Sequence, residues 1–474
     1  METLVNEQME EMHPAEHCGR PPDYPPLTDL GNAERFIEQH SDRVRYVTET
    51  QMWLAYEGGW WAEDPRAIMA QKGKATINSI KAEAAQFTGT DKEALLRHWK
   101  KSSSPSHIRA MLQLAQSEPE ILVSANQLNT DPMLLNCQNG TLDLRTGDLR
   151  PHDPADLITK IIPVNFIPEA TCPRWESFLS KIMDGDQDMV DFLSRIAGYA
   201  LTGSTEEQCM SVLFGDGANG KSTFVETLRR VLGPYAMHTP SSSLLSQRFG
   251  SIRNDVARLA GARMVSAIEM GSGLRLDEPL IKQLTGGDQV TARFLYREHF
   301  EYRPEFKLLL VANHKPEIIG TDHGIWRRIH LVPFPVQIPK DEVDKNLPEK
   351  LKDELPGILA WAVRGCLEWQ KQGLHIPEKV RQATEQYRME MDRLGNFLAD
   401  CCKEGADEKL PLGEAFDAYK RWADNACQDT VGKRTFGDLM RQRGFAQAKT
   451  NGIRFWKGVG LHSGRHEEPD FKKG

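Results

Sequence analysis

Residues 215–222 read Gly-Asp-Gly-Ala-Asn-Gly-Lys-Ser, a G-x-x-x-x-G-K-[ST] spacing suited to a chain of phosphates. Gly215, Gly217 and Gly220 admit backbone angles that a Cβ resists, so successive N–H groups, with Asn219 and Thr223 among them, can curl around phosphate oxygens. Lys221 would reach the β and γ phosphates of ATP, and the Ser222 hydroxyl would bind Mg²⁺. Glu269 is the candidate general base for water attack and a second metal ligand. Asn313 is placed to sense the γ-phosphate or hold the attacking water. Arg327 and Arg328 follow, and an arginine reaching the ATP of a neighbouring subunit would stabilise transition-state charge.

These residues need a scaffold. Cys209–Phe214 is short and apolar, like a buried strand. The helical pattern after it is apolar at 224, 225, 228, 231 and 232 and aims its N-terminal dipole at the phosphates. Arg263–Glu269 and Phe306–Asn313 are two more apolar runs, each ending in a polar group. Ligands of open α/β sheets sit at the carboxyl ends of strands. Residues 205–335 therefore predict alternating strands and helices.

The chain has 474 residues, enough for several domains, and a net charge of −8. No apolar run is long enough to span a membrane, and the acidic N-terminus has no signal-peptide pattern. Its eight cysteines include no C-x-x-C pair, which argues against a zinc knuckle or disulfide framework and suits a reducing cytoplasm, here expected to be that of a bacterial host. Residues 1–28 are proline-rich and acidic and read as a disordered tail. Trp53, Trp60 and Trp61 around Gly58-Gly59 predict a hairpin. Residues 102–106 read as a loop, 139–147 as a strand and turn, and 173–203 as mostly helical.

The pieces from 215 to 328, in this order, resemble the superfamily 3 helicases, and among them the phage/plasmid primase–helicase group related to poxvirus-type primase–helicases. Leu280–His299, with Gly286-Gly287-Asp288, is similar to the motif peculiar to that superfamily. The resemblance extends to Gly31–Phe36, Gly59–Trp61, Asn139–Gly147, Gly198–Gly203 and Leu355–Trp361. It implies an α/β fold: an AAA+-like P-loop ATPase core with a parallel sheet, preceded by an α+β region and followed by a winged-helix-like domain. The expected divisions are a tail (1–28), an N-terminal helicase-associated domain (29–170), the ATPase domain (171–340), a helical connector (341–390) and the C-terminal domain (391–474).

The resemblance also implies a ring, expected to be a hexamer, moving 3′-to-5′ on single-stranded or forked DNA. A β-hairpin with its tip near Arg297 would grip DNA in the ring channel, with Lys282, Arg293, Arg297 and His299 as contacts. Arg327 would be the finger acting on a neighbour's ATP, with Arg328 the alternate. Two departures stand out. No further acid follows Glu269 directly, unless Asp277 or Glu278 folds back, and only about 30 residues precede the shared region, so any primase is expected to be a separate protein.

Residues 395–461 read as helix, helix and hairpin. From 431 to 458 there are seven Lys or Arg and one Asp. Lys433, Arg434, Arg441 and Arg443 on a recognition helix, with Arg454 and Lys457 on a wing, would suit an origin duplex; the same charges would equally suit a face contacting protein. The functional expectation is an ATP-driven DNA helicase in the replication of a phage, plasmid or integrated element. The alternative is an initiator that uses ATP as an assembly switch with little processive unwinding.

Overall fold

The structure, a computed structural model, describes residues 24–64, 67–246, 254–268, 271, 275–293, 299–320, 322–425 and 430–462. Thr28 accepts the Gly31 backbone N–H and caps α1 (Asp29–His40). Strands β1 (Val44–Val47), β2 (Met52–Glu57) and β3 (Trp60–Glu63) follow. Gly58 and Gly59 both take positive φ, 62° and 94°, and close the β2–β3 hairpin expected from the tryptophan cluster. Helices α2 (Ile68–Ala84), α3 (Gly89–Ser102) and α4 (Pro105–Ala115) join α1 around Phe36, Ile77, Ile80, Leu95 and Met111. The serine-rich loop between α3 and α4 caps the latter through Ser104. Strand β4 (Leu122–Val123) pairs with β1, giving the order β3-β2-β1-β4. A meander of β5 (Leu134–Cys137), β6 (Gly140–Asp143) and β7 (Asp148–Arg150) completes this α+β region.

Helices α5 (Pro173–Ile182) and α6 (Gln187–Leu201) lead into the central unit. In chain order it holds β8 (Met210–Phe214), α7 (Lys221–Leu232), β9 (Ala236–Pro240), α8 (Asn254–Ala257), β10 (Met264–Ile268) and α9 (Glu278–Gly286). Then come β11 (Val290–Arg293), β12 (His299–Tyr302), β13 (Lys307–Ala312), α10 (His323–Trp326) and β14 (Ile329–Pro333). Five of these strands form one sheet in the order β14-β8-β13-β10-β9, every pair parallel. Both faces are covered, which is why β13 is buried along its whole length and reads as an unbroken apolar run. The crossovers seat β13 directly beside β8, so the carboxyl ends of these two strands open onto the same place.

Two buried cations tie the other end of the sheet to its surroundings. Arg263 donates to the Leu201 carbonyl at 2.7 Å and the Leu134 carbonyl at 2.8 Å. The Lys307 ammonium donates to the Thr202, Ser204 and Glu305 carbonyls and lies 4.7 Å from the Tyr199 ring centroid. Both satisfy carbonyls left over at the end of α6.

The stretch expected as a charged connector contains α11 (Leu347–Lys350), α12 (Leu355–Gln372) and α13 (Glu378–Met391). Helix α12 is a wall of the central core. Its Ile358, Leu359, Ala362 and Cys366 share a cluster with Phe192, Leu193 and Ile196 of α6. The helices touch through glycines: a Cβ on Gly198 would lie 2.1 Å from the Cys366 nitrogen, and one on Gly365 2.1 Å from the Ser194 carbonyl oxygen. Helix α13 covers the β14 edge, where the Leu331 N–H donates to Thr384 Oγ1 at 2.9 Å.

The C-terminal unit is α14 (Arg393–Cys401), β15 (Cys402–Pro411), α15 (Leu412–Asn425), α16 (Lys433–Gln442), β16 (Gln447–Thr450) and β17 (Ile453–Leu461), with sheet order β15-β17-β16. The two expected helices and the Asn451-Gly452 hairpin are there; α14 and β15 are additional. Strand β15 reads Cys-Lys-Glu-Gly-Ala-Asp-Glu-Lys-Leu-Pro, with no apolar alternation, because it lies at the sheet edge and shows most of its side chains to solvent. Among the described residues no helix is long and apolar enough to cross a membrane.

Candidate nucleotide site and nucleic-acid faces

The phosphate loop leaves β8 at Phe214 and enters α7 at Lys221, as the strand–loop–helix spacing requires. Gly220 takes φ +83° and turns the chain into α7; Gly215 and Ala218 are also at positive φ, whereas Gly217 is not and faces open space. Gly217, Asn219, Gly220, Lys221, Ser222 and Thr223 line a cavity of about 280 Å³ together with Ile268, Val311 and Asn313. The Lys221 side chain is buried, and its ammonium donates to the Gly215 and Asp216 carbonyls, to Asn219 Oδ1 at 3.0 Å and to Asn313 Oδ1 at 3.1 Å. Burial holds this ammonium below the usual lysine range, opposed by Asp216.

Two features fit a phosphate chain here. The lysine is satisfied by oxygen acceptors alone, which is what phosphate oxygens would supply. Asn219 Nδ2 is buried without a hydrogen-bond partner, a donor left over in the loop. Ser222, exposed at the first turn of α7, is the residue that could hold a metal ion beside the phosphates. No cluster of three metal-ligating side chains occurs among the described residues.

Asn313, one residue past β13, is brought to Lys221 by the neighbouring positions of β13 and β8. Glu269 lies outside the described residues; β10 ends at Ile268, one residue before it, and Ile268 lines the cavity. The next two acids along the chain are engaged elsewhere. Asp277 caps α9, accepting the Leu280 N–H at 3.1 Å. Glu278 accepts the Ile319 and Gly320 N–H groups at 2.9 and 2.8 Å, fastening the segment after Asn313 to α9.

The two arginines differ. Arg328 is half-buried: it donates to Thr285 Oγ1 at 3.2 Å and to the Gly324 carbonyl at 2.6 Å. Arg327 is exposed, and its Nη2 donates to Gln208 Oε1 at 2.7 Å. Gln208 was not legible as a site residue, since it lies in a turn with no motif.

Strands β11 and β12 pair antiparallel with Arg293 opposite His299, so they flank residues 294–298, which carry Arg297 and lie outside the described residues. Lys282, on α9, is not a free cation: it pairs with Asp322 at 2.9 Å, and Asp322 also caps α10.

On the C-terminal unit Phe436 and Met440 turn inward from α16, leaving Lys433, Arg434 and Arg441 on its exposed side. Arg441 is paired to Asp438. Arg443, also exposed, pairs with Asp392 at the junction with the central unit. Arg454 and Lys449 face each other across β16–β17, beside the Asn451-Gly452 turn, and Lys457 is exposed further along β17. Lys449 belongs with the basic residues named from sequence, as the hairpin register makes plain.

A family model described as D5 N terminal like matches residues 33–184, and one described as a family of unknown function (DUF5906) matches 213–328. A protein of Acanthamoeba polyphaga mimivirus named as a proposed helicase is 30% identical, over 58% of this chain and 31% of its own length. A proposed helicase of Frog virus 3 is 25% identical, over 66% of this chain and 41% of its own. A proposed primase of African swine fever virus is 26% identical, over 62% of this chain and 34% of its own. The chain therefore spans well under half the length of these relatives. Among solved structures, the apo C-terminal region of NrS-1 shares the fold, with a TM-score of 0.50 at 10% identity, over 91% of this chain and 99% of that one.

Proposed function

We propose that the chain is a member of the phage- and virus-type primase–helicase family and acts as an ATP-dependent DNA helicase serving the replication of a phage, plasmid or related element. The observation that carries this reading is the meeting of Lys221 and Asn313 at the carboxyl ends of adjacent parallel strands, over a loop whose residues line one cavity. The strand order β14-β8-β13-β10-β9 supports an AAA+-type core, in which β8 carries the phosphate loop and β13 the sensing residue.

In this reading Lys221 and the loop N–H groups bind and orient the triphosphate, and Asn313 positions the attacking water or senses the γ-phosphate. Glu269 accepts the proton from that water. Mg²⁺ held at Ser222, with Glu269 near, would neutralise charge on the phosphates. Arg327, exposed and lightly tethered, suits a finger that reaches the nucleotide of the next subunit in a ring, expected to be hexameric; Arg328 is occupied within its own subunit. The β11–β12 hairpin would carry Arg293, Arg297 and His299 to single-stranded DNA, with 3′-to-5′ travel, and Lys282 would join them by leaving Asp322.

The helix–strand–helix–helix–hairpin order and the sheet order β15-β17-β16 support a winged helix at the C-terminus. Lys433, Arg434 and Arg441 on α16 and Arg454 on the wing would lie along duplex phosphates, such as those of an origin. A separate primase is the expected partner at the fork. One observation favours a second reading, the ATP-switched initiator with little unwinding: Asp277 and Glu278 are committed elsewhere and do not supplement Glu269. Strand displacement on a forked duplex separates the two. Helicase action requires ATP-dependent displacement that Lys221→Ala abolishes; an initiator binds the duplex and melts it little.

A further inference from the structure

Helices α2 and α4 meet at Gly73, where a Cβ would lie 3.0 Å from Met111 Cε and 3.3 Å from Ile108 Cγ2. Beside that contact the two helices and Ser103, in the loop before α4, line a groove of about 380 Å³. Ala70, Ile77, Ile108 and Leu112 give it an apolar floor, with Lys74 of α2 on one wall and Arg109 of α4 on the other. We propose that residues 1–12 of the same chain dock in this groove as an amphipathic helix, apolar face down and glutamates against its basic walls.

The groove has no carboxylate in its lining. Lys74 and Arg109 are exposed, and so are Lys100 and Lys101 at the end of α3, shortly before Ser103. Among the described residues none of these four pairs with a carboxylate. Unpaired cations around an apolar floor, in a chain whose net charge is −8, call for an acidic amphipathic segment. Phosphates alone would make no use of the floor.

Residues 1–23 lie outside the described residues, and the sequence of the first twelve, Met-Glu-Thr-Leu-Val-Asn-Glu-Gln-Met-Glu-Glu-Met, supplies that chemistry. Its apolar side chains at 1, 4, 5, 9 and 12 have the spacing of one helix face. Glu2 and Glu11 flank that face on its two sides, Glu7 and Glu10 lie behind it, and there is no lysine or arginine. Methionine, which supplies Met1, Met9 and Met12, adapts to irregular apolar gaps.

The connection is long enough. Tyr24 packs edge-on against Phe87 at 5.4 Å, and its hydroxyl donates to Gln86 Oε1 at 3.2 Å. The chain therefore enters the fold just past the end of α2, and Ile77 stands about 11 Å back along that helix. Residues 13–23 span up to about 40 Å when extended, so the segment reaches the groove of its own chain. A groove so covered is closed to any other acidic helix until the segment leaves.

The test is amide hydrogen exchange of the full chain, read over residues 4–12 at several protein concentrations. Wild type stands beside Lys74→Glu/Arg109→Glu, beside Leu4→Ser/Val5→Ser, and beside a charge swap that adds Glu2→Lys/Glu11→Lys to the first pair. In wild type these amides are expected to exchange at least about tenfold more slowly than in a free peptide of residues 1–12. Each of the two pairs is expected to return them to the peptide's rate while the slow amides of α2 and α4 stay protected. The charge swap is expected to restore most of the protection. Should Lys74→Glu/Arg109→Glu loosen α2 or α4 itself, Leu4→Ser/Val5→Ser decides alone. Wild-type amides at the peptide's rate overturn the proposal and leave the groove to another protein. Protection that survives both pairs overturns it too. A swap that restores nothing overturns the pairing of glutamates with the walls. Protection that falls on dilution places the segment on a second copy and overturns docking within one chain.

Discussion

The Lys221 ammonium donates to Asn313 Oδ1 at 3.1 Å across 92 residues of chain. Both residues were expected at the γ-phosphate, but the strand order that joins them was not. Their meeting follows from one topological fact, that β13 inserts beside β8 rather than at the sheet edge. If Asn313 acts on the γ-phosphate or its water, Asn313→Ala binds ATP within a few-fold of wild type, yet hydrolyses it about 10²-fold more slowly. Comparing kcat with nucleotide affinity checks this; a loss confined to affinity would make Asn313 only a partner of the lysine.

Arg327 and Arg328 are adjacent but their environments predict different phenotypes. Arg327→Ala is expected to fold normally and to lose about 10³-fold in hydrolysis by the assembled protein. Arg328→Ala leaves Thr285 Oγ1 and the Gly324 carbonyl without their partner and lowers thermal stability by about 1–2 kcal/mol. Thermal melts and hydrolysis rates, measured together, separate the two roles.

His330 sits in the middle of β14, and burial pushes its pKa down from 6.5 to about 4. The unfolded chain takes up a proton near pH 6.5 that the folded chain refuses until about pH 4. Folding therefore loses stability as pH falls through that window and is unaffected by this group above it. The full loss is about 3 kcal/mol for a shift of that size. Denaturant unfolding of wild type and His330→Leu at several pH values checks it, with the difference between them growing from pH 7 toward pH 4.

Gly198 and Gly365 let α6 and α12 approach backbone to backbone. Gly198→Ala or Gly365→Ala forces the helices apart and is expected to cost about 1–3 kcal/mol or more. A lowered melting temperature in either variant is the readout. No such loss would mean that α12 is loosely attached.

The basic residues of the C-terminal unit fall into two classes. Arg434→Ala and Arg454→Ala are each expected to weaken duplex binding and to reduce its salt slope by about one. Arg443→Ala breaks the pair with Asp392 and is expected to loosen this unit from the central one, with a smaller change in salt slope. Salt-dependent binding titrations of the three variants discriminate them.

The phosphate loop, the strands leading to Lys221 and Asn313, the tryptophan hairpin and the Asn-Gly turn were legible because each is a local pattern: a fixed glycine spacing, an apolar run or a paired turn. The packing of α12 against α6 was not legible, because its close approach rests on Gly198 and Gly365, which carry no apolar signal. Strand β15 was unreadable, since an edge strand with exposed charges has no periodicity. The engagement of Lys282 by Asp322 and of Arg443 by Asp392 is likewise invisible in sequence, where a lysine or arginine looks the same whether free or paired.

The most direct test of the central claim is ATP hydrolysis by the purified protein with and without single-stranded DNA, beside Lys221→Ala and Arg297→Ala. A DNA-stimulated rate that Lys221→Ala abolishes, and whose stimulation alone is lost in Arg297→Ala, is the predicted result. A wild-type rate indifferent to DNA would contradict the helicase reading and leave the ATP-switched initiator in its place.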